Sequence, residues 1–171
     1  MPVSREVFRS VSGSFPTGVV IVTTLDEAGQ PKGLLNQTFV GLSTEPPLVL
    51  ISIDRTSRTL PHLQRHGAFV VNFLREGSED LASLFASKAD DKFTGVRWEP
   101  SAPARGAAIL RDASIAYAAC VVTRTIEAGD HWIFIGSVEA GEVVGGNPLM
   151  YFRRSYAAWP KERPAPPVEG A

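Results

Sequence analysis

The sequence predicts a mainly β domain with a few short helices, folded as a closed or nearly closed antiparallel barrel. Three observations predict it. Short β-branched and apolar runs follow one another at close spacing, among them GVVIVTT, PLVLIS, AFVVNFL, SIAYAACVVTRTIEA and HWIFIGSVEAGEVV. Only three short helical stretches interrupt them, whereas a doubly wound sheet needs a helix after most strands. A chain of 171 residues buries about 70% of its extended surface, enough for one core. The expected organisation is one domain over residues 1–156. A Pro-rich C-terminal tail, residues 157–171, follows and has too little apolar content to fold alone.

Each element has a local reason. Ser4 can cap a short helix whose Val7, Phe8, Val11 and Phe15 share a face, so that helix is expected to lie on the core. Phe15-Pro16-Thr17-Gly18 ends it, and GVVIVTT reads as a central strand. Asp26 to Pro31 is a turn. KGLLNQTFVGLS then reads as the partner strand, with polar Asn36, Gln37 and Thr38 amid apolar sequence. Those three side chains need partners: either they face solvent, or they face a ligand with a polar edge. After AFVVNFL, Ser78 with Glu79 and Asp80 starts a helix that ends near Ala86 and buries Leu81, Leu84 and Phe85. A Pro-rich loop over 95–106 carries Trp98 as an anchor, and Gly129-Asp130 turns a long hairpin between the last two long strands.

The stretch Pro47 to His66 is the candidate site. A buried strand breaks at Ser52 into the hydroxyl- and arginine-rich run Ser52-Ile53-Asp54-Arg55-Thr56-Ser57-Arg58-Thr59, and a helix starts at once with Pro61 in its first turn. Ser57 or Thr59 can cap that helix. Hydroxyls, free backbone N–H groups and two guanidinium groups then converge on one place and form an anion cradle for a phosphate, with Arg55 favoured over Arg58 as its cation. The same residues also suit a polar surface turn with a capped helix.

Composition narrows the partners. A net charge of −1 offers no general attraction to nucleic acid or an anionic membrane, so anion binding must be local. Cys120 is the single cysteine and sits in an apolar run, which fits a buried side chain and a reducing cytoplasm. No apolar run approaches the roughly 20 residues of a membrane helix, and no signal core is present, so a soluble, unprocessed protein is expected. His62 and His66 stand at i, i+4 without a third ligand and read as solvated helix residues, so no metal is expected.

Between Phe15 and Tyr156 the blocks FPTGVVIVTT, LSTEPPLVLISIDRTSRT, GAFVVNFL, LASLFASKADDKF and GDHWIFIGSV resemble, in order and spacing, the short-chain flavin reductases. These have an FMN-binding split barrel and serve as the reductase component of two-component flavin-dependent monooxygenases. GDHWIFIGSV fits the pattern Gly-Asp-His-x-x-x-x-Gly-x-Val at Gly129, Asp130, His131, Gly136 and Val138. The resemblance implies an antiparallel split β-barrel that binds FMN or FAD, with the ring near Leu35, Asn36, Gln37 and Thr38 and the phosphate in the Ser52–Thr59 run. It adds Phe85, Ala86, Ser87, Lys88 and Lys92 as flavin contacts, the lysines toward the phosphate. His131, with Asp130 shaping its turn, is implied at the nicotinamide of NADH or NADPH. It also implies a homodimer, and a separate monooxygenase that receives reduced flavin.

The family pattern around the ring resembles Gly-(Met/Leu)-Thr-x-Asn-Ser-Phe, and Gly33-Leu34-Leu35-Asn36-Gln37-Thr38-Phe39 departs from it. A hydroxyl is lost at Leu35, and Gln37 replaces Asn, so altered flavin affinity or reactivity is expected, with backbone amides serving the ring edge. Hydride transfer from a nicotinamide to a flavin needs positioning of two rings and no acid or base, which agrees with the lack of a triad or carboxylate pair. The alternative on the same barrel is a non-catalytic carrier or sensor of flavin or haem. An oxidase of the pyridoxamine-phosphate type is disfavoured by the Gly-Asp-His motif.

Overall fold

The structure, a computed structural model, describes residues 1–159. It is mainly β. After α1 (Arg5–Ser12) and the two-residue β1 (Thr17–Gly18) come β2 (Val20–Leu25), β3 (Pro31–Asn36), β4 (Phe39–Thr44) and β5 (Pro47–Asp54). Then follow α2 (Leu60–His66), β6 (Ala68–Leu74) and α3 (Glu79–Ala86). A loop with the short pair β7 (Glu99–Pro100) and β8 (Ala108–Ile109) leads to the long hairpin β9 (Ser114–Ala128) and β10 (His131–Val143), and the hairpin β11 (Leu149–Phe152) and β12 (Ser155–Ala158) ends the described chain.

Seven strands form one antiparallel sheet in the order β3-β2-β6-β9-β10-β5-β4. Its outermost strands, β3 and β4, are consecutive in sequence and joined by Gln37 and Thr38 without a ladder between them, so the barrel is split there. The Asn36 amide bridges the split by donating to the Ser52 carbonyl at 3.0 Å. β11 and β12 form a small separate sheet with β1.

The expected central strand is buried from Val20 to Thr24, paired with β3 on one side and β6 on the other. Inside the barrel, Val22, Ile51, Leu63, Phe69 and Phe134 pack without solvent contact. The motif glycine Gly136 has a packing role: a Cβ there would stand 2.7 Å from Phe69 Cζ and 3.1 Å from Cys120 Cβ. A second cluster joins Ile21, Leu74, Phe85 and Leu149 under α3. Cys120 is buried, and desolvation pushes its thiol up to about 12, which leaves it an inert apolar side chain.

Four expectations change. The run KGLLNQTFVGLS is two strands, not one: β3 pairs with β2, while β4 pairs with β5 at the opposite edge of the sheet, because the chain turns away at Gln37 and Thr38. α1 forms with Ser4 as its cap, but it does not lie on the core: Val7, Phe8, Val11 and Phe15 are 49–73% exposed. Periodicity marks an apolar face and does not say what covers it. β5 continues to Asp54, because Ser52 and Ile53 pair with Ile133 and Trp132 of β10, and this buries the Ile53 side chain in the core. β12 runs to Ala158, so the boundary expected at 156 falls inside a strand, since Tyr151 pairs with Tyr156 and Leu149 with Ala158. The tail from residue 160 lies outside the described residues.

Candidate active site

The β5–α2 connection folds on Asp54. Its Oδ1 accepts from the Thr56 N–H and the Thr56 hydroxyl, both at 2.7 Å, and these bonds hold the carboxyl below its usual range. The Ser57 N–H donates to the Asp54 carbonyl, and Ser57 Oγ accepts from the Thr59 N–H at 3.3 Å. Thr59 does not cap the helix with its side chain. Its buried hydroxyl donates to the Gly33 carbonyl at 3.2 Å and fixes the start of α2 against β3.

α3 approaches the same strand from the other side. Gly33 makes this possible, because a Cβ there would stand 2.7 Å from the Phe85 ring. Beyond α3, Lys92 Nζ donates to the Phe85 carbonyl at 2.8 Å and reaches the Gly33 carbonyl at 3.5 Å. Burial, and next the nearby Arg58 charge, lower its pKa. The Arg58 guanidinium donates to the Lys88 carbonyl at 2.7 Å and to Asp90 Oδ1 at 2.5 Å, strapping the post-α3 loop to the cradle. Phe85 packs edge-on to Phe93, and Phe93 to Trp98, which accounts for Trp98 as an anchor.

Between these elements lies a cleft of about 580 Å³. From the expected set it brings together Leu35, Asp54, Thr56, Ser57, Thr59 and the run Phe85, Ala86, Ser87, Lys88 with Lys92. Hydroxyls and cations line it together with the apolar side chains of Leu34, Leu35, Phe85 and Phe93, and Lys92 Nζ sits beside the Phe85 and Gly33 carbonyls. Its lining carries four cations, Lys32, Arg58, Lys88 and Lys92, against the carboxylates of Asp54 and Asp90.

Other expected residues stand elsewhere. Arg55 does not line the cleft. Its guanidinium is held by Glu127 and the Gly129 carbonyl at the β9–β10 tip, whereas Arg58 lines the cleft. Asn36 is buried and spent internally, since its Oδ1 accepts from the Thr38 N–H at 2.6 Å while its amide holds Ser52. Gln37 and Thr38 are exposed on the strand connection, and neither they, Ser52 nor Ile53 lines the cleft. Asp130 and His131 are also outside it, but His131 is the β10 partner of Asp54, which does line it. His131 Nδ1 is 2.7 Å from Asp130 Oδ1, and this bond, with the imidazole charge next, keeps Asp130 below the usual carboxylate range.

The lining residues outside the expected set, besides Arg58, are Lys32, Gly33, Leu34, His62, Ala89, Asp90 and Phe93. Ala89, Asp90 and Phe93 lie within the run SKADDKF, next to the expected Ser87, Lys88 and Lys92; Lys32, Gly33, Leu34 and His62 come in only through tertiary pairing. His62 Nδ1 is buried without a hydrogen-bond partner, while His66 turns to the Ala104 carbonyl at 3.5 Å, so the two histidines do not form a pair. No group of potential metal ligands occurs among the described residues.

The hydroxyls and cations in the lining suit a phosphate and the apolar and aromatic side chains suit a flat ring system; the volume is within the usual range for a nucleotide-sized ligand. Fold and cleft together define a nucleotide-cradling split barrel. The chain belongs to the flavin reductase family, because residues 12–160 match the flavin reductase like domain. It is 46% identical over 164 residues to a flavin reductase (NADH) from Kitasatospora aureofaciens, covering 94% of this chain and 84% of that protein. It is 38% identical over 167 residues to the reductase subunit of a flavin-dependent monooxygenase from Mycobacterium tuberculosis, covering 96% and 87%. Its fold superposes with a TM-score of 0.86 and 30% identity on an NADH:FAD oxidoreductase from Streptomyces globisporus in complex with NAD and FAD fragments, covering 93% and 94%.

Proposed function

We propose that this flavin reductase holds FMN or FAD in the cleft between β3, α2 and α3, reduces it with NADH or NADPH, and releases it to a separate flavin-dependent monooxygenase. The carrying observation is one cleft whose lining combines the hydroxyls and cations of Ser57, Arg58, Thr59, Lys88 and Lys92 with the apolar Leu34, Leu35 and Phe85. When bound, flavin supplies the redox chemistry, accepting hydride from the nicotinamide. The chain supplies position and charge. Ser57 and Lys88 face the phosphate, Arg58 strengthens that contact, and the Leu34–Leu35 wall keeps water from one face of the ring.

His131 is the residue for the nicotinamide nucleotide. Asp130 engages its Nδ1 and so leaves Nε2 for the carboxamide or a phosphate. His131→Ala is expected to raise the KM for NADH about tenfold, the loss of one charge-assisted hydrogen bond, with flavin Kd unchanged. Steady-state kinetics with both parameters unmoved would remove His131 from the site. The activity is tested by mixing the protein with NADH and a large excess of free flavin. Many turnovers support the reductase, and a single bleaching of bound flavin supports a carrier.

The working unit is a homodimer in the cytoplasm. Support comes from the apolar stripe Val7, Phe8, Val11 and Phe15 on α1, from Val40 and Leu42 exposed on edge strand β4, and from the lone buried Cys120. A second copy of the chain covers the stripe. Phe8→Asp is then expected to shift the mass measured by light scattering from dimer to monomer; a wild-type mass that is already monomeric rejects this. No helix among the described residues is long and apolar enough to cross a membrane.

A further inference from the structure

A second cleft, of about 620 Å³, lies between the polar face of α1 and the β11–β12 turn and shares no lining residue with the first. Arg5 and Arg9 line it from the helix and Arg153 and Arg154 from the turn, with Glu6 the one carboxylate. Among the described residues none of these four arginines has an ion-pair partner; Arg75, Arg105 and Arg124 have none either, though Arg75 and Arg105 donate to backbone carbonyls, and Arg55, Arg58, Arg65, Arg97 and Arg111 are paired.

The turn itself is the second observation. Phe152 pairs with Ser155, so Arg153 and Arg154 form a two-residue hairpin loop, and both have positive φ, 48° and 67°. That conformation suits Asn-Gly and disfavours any residue with a long side chain. Two consecutive arginines therefore occupy positions where local preference is against them, and such conflicts mark sites where a side chain is wanted for another purpose. Arg153 is further oriented by the Phe152 ring, 5.0 Å from its guanidinium carbon.

We propose that this cleft is a second anion site, which takes the phosphate groups of a nucleotide-sized phosphorylated molecule between the guanidinium forks of Arg5, Arg9, Arg153 and Arg154. Planar guanidinium groups match phosphate oxygens in pairs, and the volume admits more than one phosphate. The site stands independently of where the flavin binds.

The test is a titration of the full chain with inorganic pyrophosphate at constant ionic strength, followed by backbone amide NMR shifts. Saturable shifts are expected at residues 5–14 and 153–154, distinguishable from any at Ser57 to Thr59 and Lys88, which report the flavin cleft. The double variant Arg153→Asn, Arg154→Gly gives the turn its preferred residues. It should melt at or above the wild-type temperature, bind flavin as wild type does, and lose at least tenfold in pyrophosphate affinity at the α1 residues. Arg5→Gln with Arg9→Gln, on the exposed helix face, should do the same from the other wall. No saturable shift below 10 mM (on the order of the weakest specific affinities), equal binding in either variant, or equal response to sulfate overturns the proposal.

Discussion

Arg58→Ala is expected to weaken flavin binding about thirtyfold. Loss of a charge-assisted hydrogen bond to a phosphate costs about 2 kcal/mol, and each 1.4 kcal/mol is about tenfold in Kd. The ion pair with Asp90 contributes little of this, because that carboxylate is 96% exposed and water screens it. Asp90→Asn separates the two roles of the guanidinium. If Arg58 serves the phosphate directly, removing a carboxylate from the cleft should leave flavin Kd the same or tighter; if it acts by strapping the loop, Asp90→Asn should weaken flavin as much as Arg58→Ala does. Fluorescence titration with FMN and FAD reads both.

The cleft also carries a pH signature. Lys92 is lowered by burial and then by Arg58, so it loses its charge below the ordinary lysine value. Binding an anion favours the charged form, so its contribution to affinity is full below that lowered pKa and is lost as pH rises through it. Flavin affinity should therefore fall on the alkaline side earlier than an ordinary lysine would allow, and Lys92→Arg should carry binding to higher pH.

Asn72→Leu is expected to destabilise the fold by about 4 kcal/mol and lower Tm by roughly 8–16 °C. Asn72 is fully buried on β6 and serves three backbone groups: its amide donates to the Ile21 and Ala108 carbonyls at 3.2 and 3.3 Å, and its Oδ1 accepts from the Leu110 N–H at 2.7 Å. It thereby pins the β7–β8 loop to the central strands. Leucine fits the volume, takes the acceptor from the Leu110 N–H and a donor from each carbonyl, of which Ala108's keeps the Thr23 hydroxyl at 2.6 Å; each group left unpaired in the interior costs about 1–3 kcal/mol. A melting temperature within 2 °C of wild type (less than about 1 kcal/mol) would mean that the loop finds other donors.

Much of the candidate site was legible because its parts are local. Ser57 and Asp54 build their turn from neighbours within three residues, and Phe85 to Lys88 follow directly from the end of α3. The polar trio in KGLLNQTFVGLS stands out in the sequence, but its use is not readable there, since Asn36 finds its partner in Ser52, sixteen residues away. Arg55 and Arg58 are alike in sequence. What separates them is the β9–β10 tip, 72 and 74 residues beyond Arg55, whose Glu127 and Gly129 claim that side chain.

By itself, then, the sequence determined most of the strands, the three helices, the hydroxyl turn and the Gly-Asp-His hairpin, which are set by preferences and hydrogen bonds between near neighbours; it did not separate β3 from β4, which pair at opposite edges of the sheet. Only the tertiary structure decided that α1 turns its apolar face outward, that Gly33 admits the Phe85 ring and brings β3 to the cleft, and that Arg58 points inward. The physical reason is that a side chain's direction is chosen among partners distant in the chain, and local pattern carries no record of which of them arrives.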